Sequence, residues 1–166
     1  MNFRSRWFGE VVEIGAINPG DLFVADDGDV AILALKVVSS AAAHALVMRE
    51  LGAARRAGVP RVLPFQILER NSPRVRRITG DLVVEPINRS PDSALPLRDE
   101  GTPTPNGSLA VATQGRLGVY VRVGGQAGEV IDLETGLLMD RADVAAYTSW
   151  RLVWVGDDES MELCAF

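Results

Sequence analysis

Short apolar runs rich in Val, Ile and Leu, each cut off within a few residues by Gly, Asp, Asn or Pro, dominate this sequence. A helix needs a 3.6-residue apolar period sustained over roughly 10–12 residues, whereas a strand needs only about 4–8 residues between turn signals. Strands are therefore expected at 10–14, 21–26, 29–38, 62–69, 74–78, 81–87, 108–113, 116–123, 129–134 and 150–155. The expected fold is mainly β, a small barrel or sandwich with at most one or two short helices.

The turns have physical causes. Asn18-Pro19-Gly20 combines a fixed proline φ with a permissive glycine, and Asp26-Asp27-Gly28-Asp29 suits a tight hairpin, so 22–37 should fold back on itself. So should 109–123, around Gln114-Gly115. These hairpins resemble each other: Gly20 to Gly28 and Gly107 to Gly115 match at Gly, Leu, Val, Ala and Gly with a constant offset of 87. With small gaps, Lys36-Val37 then matches Arg122-Val123, and Ala45 to Gly52 resembles Glu129 to Gly136. Two readings stay open. Either residues 1–166 form one β-rich domain whose hairpins look alike because strands alternate buried and exposed residues, or half-units 1–88 and 106–166 are copies of one β-unit. In the second case residues 89–105 join the halves, and Pro86, Pro91, Pro96, Pro103 and Pro105 in and around that segment resist helix and central strand alike.

Two stretches have helical composition. Ser40 could cap a helix running toward Gly58, but the repeat match makes 45–51 a strand, and the strand reading is preferred. Residues 141–147 are expected to form a brief helix with Asp140 as its cap. Beyond it, Trp150, Leu152 and Trp154 alternate with Arg151, Val153 and Val155, placing both tryptophans on one core or ligand face.

At 166 residues the chain can bury about two thirds of its unfolded surface. A core without staples is feasible, as it must be: Cys164 is the only cysteine, which excludes an intrachain disulfide and a cysteine metal cage. Lys36 and His44 interrupt the longest apolar run before it reaches the roughly 18–20 residues of a membrane helix. Met1 to Glu10 lacks the apolar segment of a signal peptide. A soluble, cytoplasmic protein without membrane contact is expected. Arg outnumbers Lys by 16 to 1, which reads as a GC-rich, bacterial-type coding sequence.

The net charge of -5 is uneven. Residues 1–90 sum to +2 and residues 91–166 to -7, and within the first half Arg49 to Arg77 reaches +6. Arg55, Arg56, Arg61, Arg74, Arg76 and Arg77 are therefore the candidates for binding nucleic-acid phosphates or another anion. Against a nucleic-acid partner stand the acidic whole and the lack of aromatics to stack on bases, with only Phe65 in that stretch.

Catalytic and metal motifs are weaker. His44, the only histidine, has no nucleophile elbow near it. Asp26, Asp27 and Asp29 lack the order of a calcium loop, Asp132 with Glu134 reads as a solvent-exposed pair, and Asp157-Asp158-Glu159 as an acidic terminus. Val123 to Gly128 precedes a strand, where a dinucleotide fingerprint needs a helix. No catalytic residue, metal ligand or cofactor is assigned. The leading expectation is a non-enzymatic assembly or binding module that forms a homo-oligomer or takes a protein partner. The alternatives are a nucleic-acid-binding barrel using the arginine segment and a hydrolase with a dispersed carboxylate site.

Overall fold

A computed structural model of the chain describes residues 9–39, 42–51, 61–87, 94–97, 101, 103–122, 127–142, 144–156 and 160–166. The first half builds strands β1 (Glu10–Glu13), β2 (Leu22–Asp27), β3 (Val30–Val38), β4 (Ala43–Leu51), β5 (Arg61–Pro64) and β6 (Arg74–Arg77), with helix α1 (Phe65–Asn71) between the last two. They form one antiparallel sheet in the order β1-β6-β2-β3-β4-β5. The second half builds β8 (Leu95–Pro96), β9 (Leu109–Ala112), β10 (Leu117–Val121), β11 (Glu129–Asp132), β12 (Leu138–Met139) and β13 (Val144–Tyr147), ordered β8-β13-β9-β10-β11-β12. A third sheet joins the halves: β7 (Asp81–Pro86), β14 (Trp150–Val155) and β15 (Ser160–Ala165), with β14 in the middle.

The mainly β expectation holds, and among the described residues the helical content is α1 and one 3-10 turn at Ile14–Ala16. None of the three strand orders closes on itself, so the barrel alternative gives way to sandwich-like packing. One core serves all three sheets, drawing Leu22, Leu33 and Leu35 from the first, Leu109, Val119 and Ile131 from the second, and Trp150, Leu152, Trp154 and Leu163 from the third. The tryptophan face is thus a core face. Strand alternation sends the intervening residues outward. Phe23, Ile32, Ala34, Ala45 and Val47 meet Phe65 and Leu68 of α1 behind the first sheet, and Ala110, Tyr120, Val130 and Met139 cluster behind the second.

Two expectations about local structure fail. Residues 62–69 are not one strand: β5 ends at Pro64 and the chain turns into α1. Phe65 and Leu68, one helical turn apart, are both buried where a strand would have turned one of them outward. In the expected 141–147 helix, the described residues 144–147 form a strand instead. Asp140 caps only a turn, through Ala142 N–H to Oδ1 at 3.0 Å, and Val144–Tyr147 pairs with Leu109–Ala112 as a strand. Helix-favouring alanines give way there to a ladder that pairs backbone groups on both sides. The 45–51 segment lies within β4, as preferred.

Each half, counted from its own first strand, follows the same order, 1-6-2-3-4-5, and sends its seventh strand into the shared third sheet. Backbone bonds repeat as well. Gly20 N–H donates to Lys36 O and Gly107 N–H to Tyr120 O, both at 2.8 Å. Asp21 N–H reaches Asn18 O at 3.0 Å and Ser108 N–H reaches Pro105 O at 3.2 Å. Gly20 and Gly107 both have positive φ, 89° and 79°, which glycine adopts without Cβ strain. The pairing aligns Lys36 with Tyr120, since Leu22 opposes Leu35 and Leu109 opposes Val119.

Candidate functional site

The sequence-derived arginine cluster is largely spoken for. Arg55 and Arg56 lie outside the described residues. Arg61 Nη2 sits 2.8 Å from Asp27 Oδ2 and 3.4 Å from Glu50 Oε1, and Arg74 Nε sits 3.0 Å from Glu13 Oε1. Arg77 donates to Glu10, which with the charge of Asp21 raises its already high pKa against the opposing effect of desolvation. Arg76 Nη1 donates to Gly9 O at 3.1 Å. Register explains this compensation: β1 opposes β6 so that Glu10 faces Arg77 and Glu13 faces Arg74. Guanidinium groups already held by carboxylates offer less to a phosphate backbone.

The other sequence candidates separate. His44 is buried on β4, with Nδ1 2.9 Å from Ala42 O and 3.5 Å from Ser39 Oγ. Asp27 is occupied by Arg61, and Asp157, Asp158 and Glu159 lie outside the described residues. Cys164 is buried in the shared core, where desolvation pushes its thiol pKa up to about 12. Glu162 adds a smaller push in the same direction. No group of three or more His, Cys, Asp and Glu residues among the described residues could hold a metal ion. No helix there is long and apolar enough to cross a membrane.

Asp132 departs from its expected exposure: it is buried at the end of β11. Burial alone would raise its pKa, but Thr135 N–H at 2.9 Å, the Arg116 side chain with Nε at 3.0 Å, and Glu134 N–H at 2.9 Å bring it below the ordinary carboxylate value. Charge-assisted bonds to two backbone donors and a guanidinium outweigh desolvation here. The carboxylate fixes a tight turn and holds Arg116 in place.

Both residues line a cleft of about 790 Å³ where the three sheets meet. Leu22, Leu35 and Met48 from the first sheet, Leu117 and Leu133 from the second, and Trp150 and Leu152 from the third give it an apolar lining. Gln114, Arg116, Asp132, Glu134 and Asp81 supply the polar groups. Trp150 is locked by Nε1–H donation to Gly107 O at 2.7 Å and by stacking on Phe166 at 4.7 Å between ring centres. One wall is β7, whose Leu82 and Val84 line the cleft, Leu82 being 40% exposed; Val83, 43% exposed, points to the opposite face.

β7 is an end strand: it pairs with β14 on one side, and no strand among the described residues pairs with it on the other. Ile87 N–H donates to Ser149 O at 3.1 Å, in register with the β7–β14 ladder. Antiparallel hydrogen-bonded pairs alternate, so odd-numbered residues bond β14 while Leu82 and Val84 direct N–H and C=O to the open side. Pro86 has the same parity, where its missing N–H costs no ladder bond. The sequence named Asp132, Glu134, Trp150 and Leu152 separately but did not bring them together as a cleft, although Pro86 inside an apolar run was a signal of an edge strand. Comparison with family models, with characterised proteins and with solved structures finds no match for this chain.

Proposed function

We propose that this protein is a non-catalytic binding and assembly module that engages its partner at the three-sheet cleft. One observation carries the reading: a concave, mainly apolar space with a few convergent polar groups lies directly against an exposed apolar sheet edge. Clefts of roughly 300–1,000 Å³ with this make-up are the usual form of a binding site, and open strand edges are ready templates for association. Among the polar groups, Asp132 serves geometry, because it is engaged by donors and held ionised.

The same reading takes the chain as two copies of one seven-stranded unit fused in tandem. Its support is the shared strand order, the repeated glycine-centred bonds and the antiparallel meeting of the two seventh strands. A single cysteine fits the reducing cytoplasm.

Native mass spectrometry of the purified chain beside a Leu82→Arg variant tests the proposal. A defined oligomer or a bound mass in the parent protein, lost in the variant, is the expected result. A bare monomer for both proteins, together with no change in tryptophan fluorescence on adding an apolar dye, would overturn it.

A further inference from the structure

We infer that the partner is an extended polypeptide segment that adds to β7 as an antiparallel strand, with apolar side chains at alternate positions and positive charge between them. This rests on the cleft being the binding site, and it names what enters. The chain carries its own example. β14 and β7 hold corresponding places in the two halves, and β15 pairs with β14 on the side away from β7. β15 places Leu163 and Cys164 in the shared core, and Phe166 just beyond it stacks on Trp150. A strand laid on the outer edge of β14 therefore fills the apolar space beside it. The corresponding space beside β7 is the cleft.

The correspondence reaches individual positions. Arg49 of β4 donates to Leu163 O of β15 at 2.7 Å. Arg49 opposes Leu33 in the first sheet, and Leu117, the counterpart of Leu33, receives the N–H of Leu133 at 3.0 Å in the second. Leu133 therefore stands where Arg49 stands, with Glu134 next to it, and both line the cleft. At the β14 edge a cation meets the added strand. At the β7 edge Asp81 and Glu134 are the charged groups without an ion pair among the described residues, since Arg116 is held by Asp132. This charge selects a cationic segment. It disfavours a second copy of this acidic chain, whose net charge is -5.

Strand addition takes its affinity from main-chain bonds and its specificity from alternate side-chain pockets. Here the bonds would come from Leu82 and Val84, and the pockets from the apolar lining.

The test uses the full chain and a capped synthetic peptide, Lys-Val-Lys-Leu-Lys-Val-Lys, beside a control with Glu for every Lys. Expected are a change in tryptophan fluorescence, amide exchange at Leu82 and Val84 slowed by about tenfold or more, and affinity for the Glu peptide lower by about tenfold or more. Val84→Pro removes one open-side N–H at a position where an edge strand tolerates proline, and should abolish binding. If that variant fails to fold, N-methylation of alternate peptide amides must abolish binding instead. If an apolar dye enters the cleft and the peptide leaves both amides unprotected, strand addition is overturned while the cleft remains the binding site. Protection of these amides by self-association without peptide would replace the partner by a second copy and overturn the inference. If neither dye nor peptide binds and the chain is a bare monomer, this inference and the proposed function fall together.

Discussion

The two six-stranded sheets share a strand order but are covered very differently on their outer faces. Behind the first, α1 and the 3-10 turn close over a cluster of eleven buried residues; behind the second the described cluster has four. The connection between the fifth and sixth strands explains the difference. Between the fifth and sixth strands of the first half come the seven residues of α1, and where the second half passes from β12 to β13 no helix is described. A helix inserted at one connection has thus turned an exposed sheet face into a second core. Phe65 anchors it, edge-on to Phe23 with ring centres 6.0 Å apart and with the Lys36 ammonium 4.2 Å above its ring. Burial lowers the pKa of Lys36 against the raising influence of Glu69 and Asp21, and the ammonium is further held by Ile17 O at 2.6 Å.

The largest expected effect follows from that asymmetry. Phe65→Ala empties the middle of the first outer core and should cost about 3–5 kcal/mol. Met139→Ala, at the margin of the smaller cluster on an end strand, should cost nearer 2 kcal/mol, because that site can collapse around the loss. Urea midpoints for the two variants read the comparison directly. Equal losses would mean that α1 is a surface ornament and that both sheets depend on the shared core alone.

A smaller difference lies in how the fourth strand of each half hands over to the fifth. The second half uses the tight turn after Asp132, with Gly136 N–H bonding Asp132 O at 2.8 Å and the side chain gathering Glu134, Thr135 and Arg116. Asp132→Ala leaves those donors without their acceptor and should cost about 2 kcal/mol. The sign of the pH effect is set by the depressed pKa. The stabilisation is complete above the unfolded value near 3.8 and drains away as pH falls through the lower folded value. The gap between the parent protein and Asp132→Asn should therefore be constant at neutral pH and narrow only below about pH 4. A gap that closed between pH 5 and 7 would assign the stabilisation to another group.

Strands, hairpins and the tryptophan face were legible because each rests on local pattern: period-two burial, turn residues and a paired face. What could not be read were features set across the chain. Nothing near Phe65 distinguishes a strand residue from the anchor of a seven-residue helix until Phe23 and Lys36 stand over it. Asp132 looked exposed because its partner Arg116 arrives from β10's leading turn, 16 residues earlier. The arginine segment looked like an anion site because its carboxylates, Glu10, Glu13 and Asp27, come from strands distant in sequence. The cleft is the extreme case, since its lining comes from all three sheets.

The smallest effect belongs to the outer ladders. In the first half β1 and β6 face each other through Glu13 with Arg74 and Glu10 with Arg77, whereas in the second Leu95 and Pro96 face Ala146 and Ala145. The Arg74–Glu13 pair is exposed on both sides, so Arg74→Ala should cost less than about 1 kcal/mol. In 1 M salt, where the screening length is about 3 Å, that cost should fall close to zero. Amide exchange at Val12 and Ala146 separates the two kinds of ladder. Salt should speed exchange at Val12 modestly and leave Ala146 unchanged, because only the first ladder has charge to screen. If both respond alike, salt is acting on the shared core, and the cross-strand ion pairs contribute charge balance to the arginine segment without holding the edge.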